Sequence, residues 1–415
     1  MSQQGPIVVV SDRASVPFTD AIGEARLFPV IETGWSEAVQ AVRRVQPAAV
    51  IVADTQHNDE PLAALARQAE VSQPNAVLIV LDPASALPPN AIPLSYVEKY
   101  PARFAARLNA ALRVRTLHAT VLRRMQGANL SSPTSPLHWP SNDPLEDANV
   151  LLIGRGGAYP SLSVALGERM GIVGALSIEA AAKHLNARDL DGIVIAGGFT
   201  ARVVDAFLTV LSEDSRFRNL PVILTADGLM QNYDLPNLEI ATGTPLEITA
   251  NAIPLIRQNA FETRLRRALT SLDAGGLIDP ATGLLTQEAF SRDFAKAVED
   301  ALARGAGLSL ARFALPHTAR RAQLDAARIL SRLMRRMDFA TLRDDDSIIV
   351  AFAETNLQNV RMIARRLASI LRQTVISEKK DSKLDPDVTV ATVLPNDSAA
   401  SVLQRLETTS QRAAS

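Results

Sequence analysis

Short, almost unbroken aliphatic runs that stop on an acid recur early in this chain: PIVVVSD at 6–12, PAAVIVAD at 47–54 and NAVLIVLD at 75–82. A run of Val, Ile and Leu with no polar alternation has both faces turned to protein. That is the pattern of a strand inside a parallel sheet covered by helices. Between the runs lie amphipathic stretches such as EAVQAVRRV (37–45), and a long Ala-, Leu- and Arg-rich stretch over 101–126 closes the set. Strands alternating with helices predict an α/β unit over 1–126, a doubly wound parallel sheet of flavodoxin-like type.

The next segment, GANLSSPTSPLHWPSNDPLED (127–147), is dense in Ser, Pro, Asn and Asp and predicts a linker. The first pattern then restarts at ANVLLIGRGG (148–157), with strands expected at VGALS, DGIVIAGG, LPVILTAD and LEIATG, so a second α/β unit is predicted over 148–273. Its last stretch, 245–273, reads as a helix with Phe261, Leu265, Leu269 and Leu272 on one face. Such a stripe fits a core helix and a dimerising stalk equally well. From 274 to 415 the order changes to helix (288–304), strand (LSLARFAL), helix (319–337), a hairpin around RDDDSIIVAF, helix (356–373) and a strand (VTVATV, 388–393), which is an α+β unit.

Composition narrows the function classes. A formal net charge of -1 implies no broad attraction to nucleic acid or to an anionic membrane. The absence of cysteine excludes disulfides and thiolate metal sites and fits a reducing cytoplasm. The start has no basic n-region, and no apolar run is long enough to span a bilayer. A cytoplasmic protein without a membrane span is expected.

Chemistry-bearing residues cluster in the last unit. Asp279-Pro-Ala-Thr282-Gly283-Leu284 opens it, Arg335-Arg336-Met337-Asp338 follows, and Asp344-Asp345-Asp346-Ser347-Ile348 precedes the apolar strand Ile349–Phe352. These residues, on two α/β units, resemble the tandem receiver plus GGDEF architecture of PleD-type response regulators. Among those, the chain is most similar to the catalytically inactive PopA-type members. The family's opening D-x-L-T-G-L is largely kept at 279–284, RxxD is kept at 335–338, and 344–348 takes the GGDEF positions. The resemblance implies two tandem receiver-like domains (1–126 and 148–273, the second an adaptor with a connecting helix) and a degenerate GGDEF domain (274–415).

Joining two GTP molecules needs bare backbone at the hairpin and metal-held phosphates. Asp344 and Asp345 stand where the family has glycines, Ser347 replaces the acid, and no Asp or Glu occurs between Ala301 and Leu324, where a metal ligand is expected. The final helix with its phosphate-contacting Lys is replaced by ETTSQRAAS. No catalytic residue, metal site or cofactor is therefore expected in this unit, and no cyclase activity. What survives is the family's product site, which implies cyclic di-GMP as ligand, held by Arg335 and Asp338 with Arg366 completing the site. A guanidinium pairs bidentately with guanine O6 and N7 or clamps a phosphate, and a carboxylate accepts from guanine N–H groups.

In the first unit Asp54 is the candidate phosphoacceptor, with Asp12 as a Mg²⁺ acid beside Ser11 and Lys99 as the phosphoryl partner. In the second, Gly154-Arg155, Ala196-Gly197-Gly198 and Thr242-Gly243-Thr244 replace those groups, and only Thr225 remains. The leading expectation is a non-catalytic cyclic di-GMP receptor that controls partner recruitment. The resemblance implies cell-cycle regulators or protease adaptors as partners, a homodimer, and the cell pole as a candidate location. The alternatives are a nucleotide-independent dimerisation scaffold and a response regulator driven by phosphorylation at Asp54.

Overall fold

The computed structural model describes residues 6–12, 29–53, 59–72, 74–83, 87–95, 101–127, 142–225, 233–315, 320–372 and 385–413. The chain divides into two compact units. The first holds the described residues of 1–129, 141–182 and 190–266, and the second those of 183–189 and 267–415.

The first unit contains two five-stranded parallel sheets. In one, β1 (Ile7–Val10), β2 (Val30–Thr33), β3 (Ala49–Val52), β4 (Val77–Leu81) and β5 (Ala91–Leu94) run in the order β2-β1-β3-β4-β5. That is the 2-1-3-4-5 winding of flavodoxin-like sheets. Side chains alternate between faces. Ile7, Val9, Ile51 and Ile79 pack on Phe104 and Leu108 of helix α3 (Pro101–Gly127), whereas Val8, Val10, Val50 and Val52 pack on α1 (Trp35–Val45) and α2 (Asp59–Val71). Each fully buried aliphatic side chain contributes about 1.5–3 kcal/mol, so the unbroken runs read in the sequence are what double-sided burial requires. The strands VIET (30–33) and AIPL (91–94) carry no such run, and both lie at the sheet edges. Pro93 is tolerated there because an edge strand does not need every N–H.

The second sheet repeats the winding. Its strands are β6 (Asn149–Ile153), β7 (Gly171–Ala175), β8 (Gly192–Ile195), β9 (Val222–Leu224) and β10 (Leu238–Ile240), in the order β10-β9-β8-β6-β7. Helices α4 (Tyr159–Gly167), α5 (Ile178–Ala187), α6 (Ala201–Glu213) and α7 (Pro245–Asp273) follow its strands. The predicted strand VGALS starts two residues earlier than expected, at Gly171. Within α7, Ile248, Ala252, Ile253 and Ile256 fill the core of the second sheet, and Leu255 joins that of the first. Phe261 stands edge-on to His118 of α3 at 5.1 Å. This stretch of α7 is a core helix.

The two edge strands β5 and β10 are tied by one buried arginine. Arg107, 1% exposed, donates from Nε to Pro236 O (2.5 Å), and through its terminal nitrogens to Pro93 O (2.5 Å), Leu238 O (2.8 Å) and Glu239 Oε2 (3.2 Å). Glu239, also buried, accepts at Oε1 from the Ser95 hydroxyl (2.5 Å) and the Ser95 N–H (3.3 Å). Burial alone pushes the Arg107 pKa down, and the Glu239 carboxylate opposes that.

The second unit is built on β11 (Leu308–Ala314), α9 (Arg320–Leu333), β12 (Phe339–Leu342), β13 (Ile348–Ala353), α10 (Leu357–Arg372) and β14 (Asp387–Thr392). This βαββαβ order forms an antiparallel sheet β12-β13-β11-β14, the split βαβ arrangement of ferredoxin-like folds. Ala326, Leu330, Ala364 and Leu367 cover one face over Phe313, Val350 and Phe352. Phe290, Phe294 and Val298 of α8 (Gln287–Arg304) and Val402 and Leu406 of α11 (Ala399–Ala413) cover the other.

Upstream, Asp279 folds DPATGL into a turn. It accepts from Ala281 N (3.1 Å) and the Thr282 hydroxyl (2.6 Å), and Gly283 turns at φ 74°. A side chain at that φ is strained, which is why glycine ends the motif.

Candidate functional site

Helix α9 is buried along residues 322–330 and stops at Leu333, four residues short of the predicted end at 337. The cause lies in the next residues. Asp338 N donates to Arg335 O (3.0 Å), and the Asp338 carboxylate accepts from Arg335 N (3.3 Å) and from Ala353 N (3.3 Å) on β13. A side chain that satisfies backbone N–H groups outside the helix competes with helical continuation. Arg335 and Asp338 therefore sit in a tight turn between α9 and β12, not at a helix end. The turn leaves Arg335 exposed and Asp338 half-buried. Burial raises the Asp338 pKa, opposed by the two N–H donors and by the Arg335 charge.

Arg335 and Asp338 line one cavity of about 150 Å³ together with Arg366 of α10. Met334, Phe352, Ile363 and Ile370 form its apolar walls. All three residues singled out by the RxxD motif and its second arginine thus converge on one hollow. The guanidinium groups of Arg335 and Arg366 make no ion pair among the described residues, and the arginine–aspartate clasp is not closed on itself.

The hairpin between β12 and β13 has a different character. Asp345 accepts from Ser347 N (3.1 Å), from the Ser347 hydroxyl (2.6 Å) and from the Arg312 guanidinium (2.9 Å). Arg312, on the adjacent strand β11, also reaches the Ser347 hydroxyl through Nε (3.1 Å). Burial acts to raise the Asp345 pKa, but the Ser347 and Arg312 bonds outweigh it and hold the carboxyl below its usual range. Asp344 accepts from Gln287 Nε2 (2.7 Å), and Asp346 takes a left-handed φ of 59°. A fixed cation, Arg312, faces the acidic hairpin from β11. Sequence reading did not single out Arg312. Its signal was available: an arginine at an inward-alternating position of an otherwise apolar strand.

The candidates of the first unit are placed unevenly. Asp12, just beyond β1, accepts from Trp35 N (3.2 Å) and so satisfies the start of α1. A carboxylate at a helix N-terminus is stabilising there. Asp54 and Lys99 lie outside the described residues. Among the described residues no group of three acidic or histidine side chains is placed to hold a metal ion.

At the carboxyl edge of the second sheet the corresponding space is filled. A Cβ on Gly154 would meet the Tyr159 ring at 3.0 Å, and one on Gly174 would meet its hydroxyl at 2.5 Å. Arg155 N and Gly156 N both donate to Gly197 O at 3.1 Å, closing one loop on the other. The Thr225 hydroxyl is turned to Ile195 O (3.3 Å). Among these residues none is an acid or a lysine.

No protein-family model matches the chain, and no curated protein matches it in sequence. Solved structures with likeness to it include GGDEF domains. The GGDEF domain of DgcB from Caulobacter crescentus, solved with c-di-GMP, is 17% identical, with a TM-score of 0.31, over 33% of this chain and 91% of that one. The FimX GGDEF domain from Pseudomonas aeruginosa is 17% identical, with a TM-score of 0.28, over 32% and 89%. The diguanylate cyclase SiaD from Pseudomonas aeruginosa, solved with its activator SiaC, is 16% identical, with a TM-score of 0.30, over 34% and 60%. Among the described residues no helix is long and apolar enough to cross a membrane.

Proposed function

We propose that this protein is a non-catalytic receptor for cyclic di-GMP, built from two receiver-like layers and a degenerate GGDEF domain, that controls recruitment of a protein partner. The observation that carries the reading is the convergence of Arg335, Asp338 and Arg366 on one open cavity. Its volume is below the roughly 300 Å³ at which pockets enclose a whole small molecule. It suits one flat base, with the rest of the dinucleotide along the rim. The Asp338 carboxylate would accept from guanine N–H groups, and the two guanidiniums would pair with base acceptors or phosphate.

Loss of cyclase chemistry is part of the same proposal. Phosphoryl transfer to a 3′-hydroxyl needs divalent metal held by acids beside the triphosphate. The acid nearest the hairpin, Asp345, is instead paired with Arg312 at 2.9 Å. A second acid of the hairpin, Asp344, is exposed, where it would repel a polyanion.

Isothermal titration of the full chain with cyclic di-GMP tests the reading. Micromolar binding weakened at least about tenfold by Arg335→Ala supports it. Absence of binding, or binding indifferent to Arg335→Ala and Arg366→Ala, sinks it and leaves the scaffold reading.

A further inference from the structure

A second hollow, of about 500 Å³, opens at the amino edge of the first sheet, the edge opposite Asp12. It is framed by the ends of α1 and α2, by the prolines that precede β3 and β4 (Pro47 and Pro74), and by Arg115 from α3. Arg43 and Arg115 enter it from different helices, Gln46, Gln68 and Ser72 add polar groups, and among the described residues no acid lines it. Neither guanidinium has a hydrogen bond or ion pair among the described residues. The Nε–H of Arg115 is buried with no acceptor.

A buried donor left unmet costs about 1–3 kcal/mol, more when the group is charged. Such a donor, converging with a second unpaired arginine on a concave surface, is the arrangement that accepts an anion. The helix ends refine the choice. Both α1 and α2 stop here, so their terminal carbonyls bring partial negative charge that disfavours a bare multivalent anion. Some of those carbonyls are taken: Gln46 N donates to Val42 O (2.9 Å) and the Ser72 hydroxyl to Gln68 O (3.3 Å). The remainder suit a ligand that carries its own N–H or O–H donors. Val71 and Pro74 offer apolar surface for a ring. The volume falls within the range of pockets that enclose a whole small molecule.

We propose that this hollow binds a phosphate monoester of nucleoside-monophosphate size, with its phosphate between Arg43 and Arg115 and its ring against Val71 and Pro74. The site is separate from the cavity at Arg335 and stands whether or not that cavity binds a nucleotide.

The test is calorimetric titration of the full chain with GMP and AMP, with inorganic phosphate as competitor. One saturable event is expected, with inorganic phosphate alone competing only weakly. Arg43→Met should weaken it by about tenfold or more, the loss of one charge-assisted contact. Arg115→Met should abolish it, and so should Gln68→Glu, which adds a repelling carboxylate without removing packing. Arg335→Ala should leave it unchanged. No saturable heat up to millimolar nucleotide overturns the proposal. So does a heat that survives both Arg115→Met and Gln68→Glu, or one that disappears with Arg335→Ala.

Discussion

Replacing Arg107 by Met removes a cation that ties two sheet edges together, and the structure allows the loss to be worked out. Met fills much of the volume, so the cost is polar. Leu238 O keeps a donor from Arg103 (2.9 Å), and Glu239 keeps both bonds from Ser95. Pro93 O and Pro236 O lose the Arg107 donors, and the Glu239 carboxylate stays buried without its counter-charge. Breaking one side of a buried pair costs about 3–5 kcal/mol, and each orphaned carbonyl adds on the order of 1 kcal/mol. A destabilisation of about 5–7 kcal/mol is expected, a large share of the roughly 5–15 kcal/mol that holds a domain together. Urea unfolding followed by Trp35 fluorescence in a Trp139→Phe background reads it directly. Adding Glu239→Gln to Arg107→Met removes the unpaired charge and should restore part of the loss. A cost below about 1 kcal/mol, or no recovery in the double variant, would refute the assignment of Arg107 as the polar tie.

Restoring glycines at the hairpin (Asp344→Gly with Asp345→Gly) should yield no turnover of GTP, because Arg312 stays and no acid is gained; detectable cyclic di-GMP product would overturn that account. Cyclic di-GMP affinity should fall at mildly acidic pH. Burial raises the Asp338 pKa, so the carboxylate proposed to accept from guanine is protonated above the usual aspartate range, and titrations across pH 7 to about 4 read this. An unchanged affinity over that range would count against Asp338 as a ligand group. Asp397, bonded by Arg405, has its carboxyl held down to about 2. A depressed folded-state pKa gives stability that is full above the unfolded value near pH 4 and is lost as pH falls toward about 2. Asp397→Asn should flatten that part of the acid-unfolding profile measured by circular dichroism.

Much of the architecture was legible because double-sided burial leaves a plain mark. The runs at 7–10, 49–52 and 77–81 can only be interior strands, and the same mark at 149–153 announced the second sheet. Edge strands leave a weaker one, so VIET and AIPL were not read out individually. The end of α9 was misjudged because Arg335-Arg336-Met337 has good helix propensity, and the competing bonds that Asp338 makes to backbone N–H groups, one of them on β13, cannot be seen in a local pattern. The gathering of Arg335, Asp338 and Arg366 in one hollow was legible only through motif spacing. Asp12 was read as a metal acid, and its bond to Trp35 N could not be foreseen, since the loop that brings α1 beneath it is set by tertiary structure. The hollow at Arg115 depends on neighbours distant in sequence, and no spacing encodes it.

The phenol of Tyr159 occupies the crevice above the second sheet where an open α/β layer would keep a ligand. Among the described residues of that edge, the ring and the bonds from Arg155 N and Gly156 N to Gly197 O fill the space between the loops. A ligand seated there would first have to displace that ring.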